Sequence, residues 1–245
     1  MIKDNLKRIG RMFGIHLCST EHFGVSVEID LSRLTAYDPL HTIFDVGGNF
    51  GQTALRFASA FPAATIYTFE PVPTSFDRLK DAVQRCKNIK SFNTALGSKS
   101  GTAVMNIMAS SGSNSILQNE AAIGSVPVQI ETIDAFATSN SIQTIDLLKI
   151  DVEGYELQVL KGAENLLTNG QIRYVFAECT TSIDTESPHT SFFDLHYFLE
   201  QHGFCFVSYY GESFRLRDGC ALGNVLYALQ SKLPERAAGR TLNIA

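Results

Sequence analysis

From Thr42 onward the chain alternates short apolar runs with segments of helical periodicity, and few folds accommodate that rhythm. TIFDV, TIYTF and IKSFN read as strands, separated first by a Gly-rich turn and a helix to about Phe61, then by a second turn and helix. In the second helix Phe76, Leu79, Val83 and Cys86 recur at helical spacing, and Thr74 with Asp77 three residues on predicts the N-cap. Strand and helix in strict succession require right-handed crossovers and a parallel sheet. The rhythm breaks between Gly97 and about Asn140, where AVMNIM and VPVQIE read as strands around a polar stretch, an insertion with a mobile loop. It resumes with the apolar run IDLLKI and one helix through Leu157, Leu160 and Leu167 that ends near Asn169-Gly170. The strand RYVFAE follows, then a helix with Phe192, Leu195 and Leu199 on one face and Gly203 as its stop. FCFVSYY and CALGNVLYAL have no crossover helix between them, so an antiparallel pair is predicted to close a mostly parallel sheet.

Composition narrows the partner. The 245 residues suffice for one α/β domain with a sizeable core, and 20 basic against 25 acidic side chains leave a formal charge of −5. No Lys/Arg cluster supplies the phosphate-neutralising surface on which nucleic-acid affinity depends, so no nucleic acid but a small-molecule or carbohydrate partner is expected. Cys18, Cys86, Cys179, Cys205 and Cys220 form no CxxC pair, which argues against a zinc knuckle and for reduced thiols. The first residues, MIKDNLKRIGRMFGI, are broken by charge too often for a signal peptide, and no run approaches a membrane span. A cytoplasmic protein is expected. Leu6, Ile9 and Phe13 fall at helical spacing among basic residues and predict a short amphipathic helix over 4–14. Residues 1–40 therefore read as an N-terminal helical extension, 41–231 as the main domain with an insertion over about 98–140, and 232–245 as a loosely ordered tail.

In open α/β sheets ligands sit beyond the carboxyl ends of the strands, and three strand ends here carry unusual residues. Asp45-Val46-Gly47-Gly48-Asn49-Phe50-Gly51 places glycines where the backbone can turn tightly and approach a ligand. Their spacing is not G-x-G-x-x-G, so the pyrophosphate cradle of dinucleotide enzymes is missing; a plain structural turn, with Asn49 in a left-handed position, is the alternative. Glu70-Pro71 ends the next strand, where a carboxylate can accept both hydroxyls of a ribose or simply favour the following helix dipole. Lys149-Ile150-Asp151-Val152-Glu153-Gly154-Tyr155-Glu156 ends the most apolar strand, and acids there are costly unless they meet solvent, a cation or a ligand. Glu153 and Glu156 also read as first-turn helix acids, whereas Asp151 stands at the strand tip.

D-V-G-G-N-F-G, F-E-P, A-L-G from Ala95 to Gly97 and K-I-D-V-E-G-Y-E, in that order and spacing, resemble the FkbM family of S-adenosylmethionine (SAM)-dependent methyltransferases over about residues 42–205. Gly112-Ser113-Asn114-Ser115 is similar to that family's serine-containing loop, and Gly48 stands where the family usually has Ala. The resemblance implies a class I methyltransferase (Rossmann-like) α/β fold: a seven-stranded, mostly parallel sheet with an antiparallel C-terminal strand and helices on both faces. It implies O-methylation of a sugar or natural product. It also puts Gly47, Gly48, Asn49 and Gly51 at the methionine end of SAM, Glu70 at the ribose, and Ala95 and Leu96 near the adenine, with Asp45 and Pro71 as further cofactor-binding residues.

Methyl transfer from a sulfonium is an in-line displacement, so the protein mainly aligns the acceptor and removes its proton. Asp151 is the first candidate base, Glu153 the second and Glu178, at the end of RYVFAE, the third. His189 and His196 are further candidates, although a histidine on a helix or loop more often packs or faces solvent. The three carboxylates could hold a hard divalent ion, but no histidine joins them at ligand spacing in sequence, so no metal ligand is assigned. The acceptor pocket is expected from residues 109–125, 180–192 and the N-terminal helix. Two rival readings are a non-catalytic nucleoside-binding protein of the same fold and an NAD-dependent oxidoreductase, the latter disfavoured by the glycine spacing. KIDVEG stands where amino-directed methyltransferases carry Asn/Asp-Pro-Pro-Tyr, and nothing in the chain signals its oligomeric state.

Overall fold

Seven strands form the main sheet in the computed structural model, which describes residues 22–108, 114–117, 122–182, 187–215 and 220–233, with the backbone alone at 212–215 and 220. They are β1 (Thr42–Val46), β2 (Thr65–Phe69), β3 (Ile89–Phe92), β7 (Ile145–Ile150), β8 (Ile172–Thr180), β9 (Phe204–Arg215) and β10 (Cys220–Leu229). Their order is β3-β2-β1-β7-β8-β10-β9. Pairing is parallel from β3 through β8, and β10 runs antiparallel between β8 and β9. This is the seven-stranded, mostly parallel sheet that the family resemblance implies, with its one reversed strand, β10, the C-terminal strand of the sheet.

Side chains alternate across the strands into two cores. Ile43, Ile66 and Leu147 pack with Val27 and Leu31 of α1 (Val27–Leu34), Phe57 of α2 (Gln52–Ala60) and Leu79 and Val83 of α3 (Pro73–Val83). Phe44, Phe69 and Leu148 face the other way, onto Phe136 of α4 (Ile133–Ser139), Val159 and Leu160 of α5 (Glu156–Lys161), Leu166 and Leu167 of α6 (Glu164–Thr168), and Leu195 and Leu199 of α7 (Phe192–Gln201). The predicted helices on both faces are thus present. The insertion is a second sheet of β4 (Ala95–Leu96), β5 (Gly101–Ile107) and β6 (Gly124–Glu131) in the order β4-β6-β5, with Met105 and Val128 buried against Val72 and Ala95.

Two local expectations are corrected. Thr74 is not the N-cap of α3: Val72 is, and Pro73 opens the helix where its missing N–H leaves nothing unpaired. The helix read as continuous through Leu157 and Leu167 is two, α5 and α6, parted at Gly162, where a side chain would come 2.0 Å from the Gly97 carbonyl oxygen. Asp134 of α4 accepts from the backbone N–H groups of Asn165 (2.9 Å) and Leu166 (3.1 Å), capping the new helix start. Periodicity also gave no notice of α1, whose N-cap is Ser26. The helix expected over 4–14 and nearly all of the expected tail lie outside the described residues. Among those described, Cys86, Cys179 and Cys205 are free thiols, and burial pushes the Cys179 thiol up to about 12.

Candidate active site

The chain runs from β1 outward to β3 and then returns to β7, so strand order reverses between β1 and β7. A cavity opens at the carboxyl ends of these strands, the expected place for a ligand. Gly47, Asn49, Glu70, Pro71, Ala95, Leu96, Asp151, Glu153 and Glu178 all line it, so nine of the sequence-predicted site residues meet at one place. Asp45, Gly48 and Gly51 do not line it.

Those three shape the loop from beneath. Asp45, 0% exposed, accepts from the Thr68 hydroxyl at 2.9 Å and pairs with Lys149 Nζ at 3.0 Å. Lys149 in turn donates to the carbonyl oxygens of Val46 (3.3 Å) and Gly47 (3.0 Å) and lies 3.6 Å from the Asp151 carboxylate. Burial alone would lower the Lys149 pKa, but Asp45 and Asp151 outweigh it and hold the ammonium above its ordinary value. Gly47 has φ +81°, and a Cβ there would sit 1.8 Å from the Asp151 carbonyl oxygen, so only glycine lets the two loops touch. A Cβ at Gly48 would meet Thr68 Oγ1 at 2.2 Å and Leu79 Cδ1 at 2.7 Å, which ties the departure from Ala to the Thr68 hydroxyl that braces Asp45. Gly51, in a left-handed conformation, caps α2 and faces Val83 and Leu79.

Glu70 is 6% exposed, and each of its carboxylate oxygens accepts one backbone N–H, from Asn49 and from Val72, both at 2.9 Å. Two bonds fix the carboxylate without exhausting its acceptor capacity. Burial pushes its pKa up to about 7 against those bonds and the Lys149 charge. Asn49 also lines the cavity, and its Oδ1 is buried with no hydrogen-bond partner among the described residues.

The opposite wall is acidic. Glu153 takes φ +55° and Gly154 φ +94°, and a Cβ at Gly154 would lie 1.8 Å from the Pro188 carbonyl oxygen. Glu156 holds this turn: one carboxylate oxygen accepts from the N–H groups of Val152 (3.0 Å) and Gly154 (3.2 Å), the other from the Thr190 hydroxyl. The same residue thereby pins the segment 187–191 against the β7 loop. That places His189 Nδ1 3.9 Å from Glu153 Oε2 and 3.7 Å from Glu178 Oε2. Burial, then the charges of Glu178 and Asp151, push Glu153 up to about 8, with His189 opposing, and the Glu178 carboxylate raises His189. A histidine therefore does join two of the predicted carboxylates, which the sequence reading did not foresee. Glu156 was legible only as the second acid of E-G-Y-E, and His189 carries no local signal because a distant hydrogen bond sets its place. His196 is elsewhere, bonded to the Tyr227 hydroxyl at 3.1 Å and stacked on Phe192.

Residues 45–206 match the model of the methyltransferase FkbM domain. Hexuronic acid methyltransferase AglP of Haloferax volcanii is 29% identical over 145 residues, covering 58% of this chain and 57% of its own. 2-O-methyltransferase NoeI of Sinorhizobium fredii is 27% identical over 164 residues, 60% of this chain and 66% of its own. Methyltransferase sdnD of Sordaria araneosa is 29% identical over 158 residues, 50% and 60% of the two chains. The matches thus span less than two thirds of these relatives' lengths. No described helix is long and apolar enough to cross a membrane. The Gly47 loop, Glu70 and the acidic turn all fall inside the matched stretch, and the chain belongs to the FkbM methyltransferase domain family.

Proposed function

We propose that the protein is a SAM-dependent O-methyltransferase that moves a methyl group to a hydroxyl of a sugar or small natural product. The observation that carries this is Glu70, a buried carboxylate fixed by two backbone N–H groups at the wall of the switch-point cavity with acceptor capacity to spare. A ribose supplies the two hydroxyl donors that such a carboxylate lacks. Asn49 Oδ1, without a hydrogen-bond partner among the described residues, and the glycine-tight Gly47 turn fit the methionine end of SAM, and Ala95 and Leu96 offer an apolar wall to an adenine. When bound, SAM supplies an electrophilic methyl on a sulfonium whose C–S electron pair returns to sulfur. Asp151, 39% exposed at the side chain and facing the cavity, accepts the proton of the acceptor hydroxyl. The names of two relatives, a hexuronic acid methyltransferase and a 2-O-methyltransferase, support oxygen and a carbohydrate as the acceptor class. Incubation with SAM and a panel of uronic acids, other sugars and hydroxylated natural products, read by mass spectrometry, is expected to add one methyl to an acceptor. S-adenosylhomocysteine (SAH) should be released in step. Methylation of an amine and of no hydroxyl would overturn the oxygen assignment.

Glu70→Ala is expected to weaken SAH binding by about 1–3 kcal/mol, because the ribose hydroxyls lose their acceptor. Calorimetry on a variant whose melting curve shows it folded checks this, and unchanged affinity would remove the ribose assignment. The wild type carries the same signature in pH. Only ionised Glu70 accepts from both hydroxyls, so SAH affinity should rise as pH passes upward through about 7. The ligand-free protein moves oppositely: with its pKa raised from 4.5 to about 7, Glu70 binds more protons folded than unfolded, so its contribution to stability falls as pH rises across that window.

A further inference from the structure

We infer that Glu153 and Glu178, which line the cavity, and His189 beside them form a binding site for one divalent transition-metal ion. The three side chains each offer a donor atom, and these atoms lie within 4.8 Å of one another. An ion equidistant from all three is then no more than about 2.8 Å from each, and side-chain movement of less than about an ångström closes this to metal–ligand distance. The separations of His189 Nδ1 from Glu153 Oε2 (3.9 Å) and Glu178 Oε2 (3.7 Å) are too long for hydrogen bonds but suit atoms that share an ion.

Two further observations point into the same space. Glu178 is 7% exposed, and among the described residues neither its Oε2 nor the buried His189 Nδ1 has a hydrogen-bond partner; the two approach each other only at ion-pair distance, 3.7 Å. Buried polar atoms are ordinarily hydrogen-bonded, so two that face each other without a hydrogen bond leave a place for a ligand between them. The ligands are also held in place: Gly154 abuts the Pro188 carbonyl and Glu156 bonds Thr190, so the turn bearing Glu153 and the segment bearing His189 cannot drift apart independently. Glu156 itself is consumed by Val152, Gly154 and Thr190, and Asp151 leans toward Lys149, which leaves three protein ligands and open positions toward the cavity. Two carboxylates alone would suit Mg²⁺ or Ca²⁺; the imidazole shifts the preference to Mn²⁺, Fe²⁺, Co²⁺ or Zn²⁺. Resting on the O-methyltransferase reading, the ion would take the acceptor hydroxyl as a further ligand and lower its pKa, easing proton release to Asp151.

The test is a titration of MnCl₂ into the EDTA-treated, desalted full chain, followed by electron paramagnetic resonance of free Mn²⁺, for wild type, Glu178→Gln and His189→Gln. One Mn²⁺ per chain is expected in wild type. Because even outer-shell changes cost about 10–100-fold in metal affinity, each variant should bind at least about tenfold more weakly. Thermal unfolding checks each variant, and the partly exposed His189 keeps the test decisive where Glu178→Gln does not fold. No Mn²⁺ uptake by wild type, or equal uptake by wild type and the folded variants, overturns the site. SAH calorimetry on wild type in EDTA is a separate arm: Mn²⁺ uptake without SAH binding would keep the metal site and remove the methyltransferase reading, and SAH binding without Mn²⁺ uptake the reverse.

Discussion

Asp151→Asn is expected to lower turnover by about 10²–10⁴-fold, the usual contribution of a positioned base, while SAH still binds. Asparagine keeps the size of the side chain and leaves untouched the backbone bond from Asp151 N–H to the Val46 carbonyl (3.1 Å) that joins β1 to the β7 loop. What it removes is the proton acceptor. Single-turnover kinetics with saturating SAM separate the two effects, since loss of positioning would appear in binding as well as in rate. Full turnover in this variant would remove Asp151 as the base.

The largest effect on stability is expected from Lys149→Met. Methionine fills much of the same volume but leaves Asp45, wholly buried, with the Thr68 hydroxyl as its one side-chain partner among the described residues. Stranding one partner of a buried ion pair costs about 3–5 kcal/mol, against near-neutrality when both partners are replaced. Urea denaturation should therefore show a large loss for Lys149→Met and partial recovery in the double variant Asp45→Asn/Lys149→Met. Recovery should stay partial, because Lys149 also donates to Val46 and Gly47 and the double variant lacks those bonds. A single variant as stable as wild type would mean that Asp45 and Lys149 contribute nothing net to the fold.

This pair also marks where the sequence stopped being legible. TIFDV, TIYTF and IDLLKI announced β1, β2 and β7 because buried parallel strands read as unbroken apolar runs, and the reversed C-terminal strand followed from a missing crossover helix. The glycines and Glu70 were legible for the same reason: strand tips are local features. Asp45 was placed among ligand-facing residues because an acid at a strand tip looks available. Only the register of β1 with β7, which sets Asp45 opposite Lys149, shows that its charge is spent inside. The break between α5 and α6 depends on the Gly97 carbonyl, far away in sequence, and no periodicity within residues 156–168 reports it. His189 belongs to the same class. It sits in a segment without regular structure, and the hydrogen bond that brings it to Glu153 and Glu178 is made by its neighbour Thr190 to Glu156.

Whether this cavity holds SAM is read out by isothermal titration calorimetry. SAM, SAH and NAD would each be titrated into the wild-type protein and into Glu70→Ala, in EDTA. Saturable binding of SAM and SAH, weakened in the variant, is expected, with no binding of NAD. Binding of NAD, or of neither SAM nor SAH, would mean that the cavity is not a SAM site.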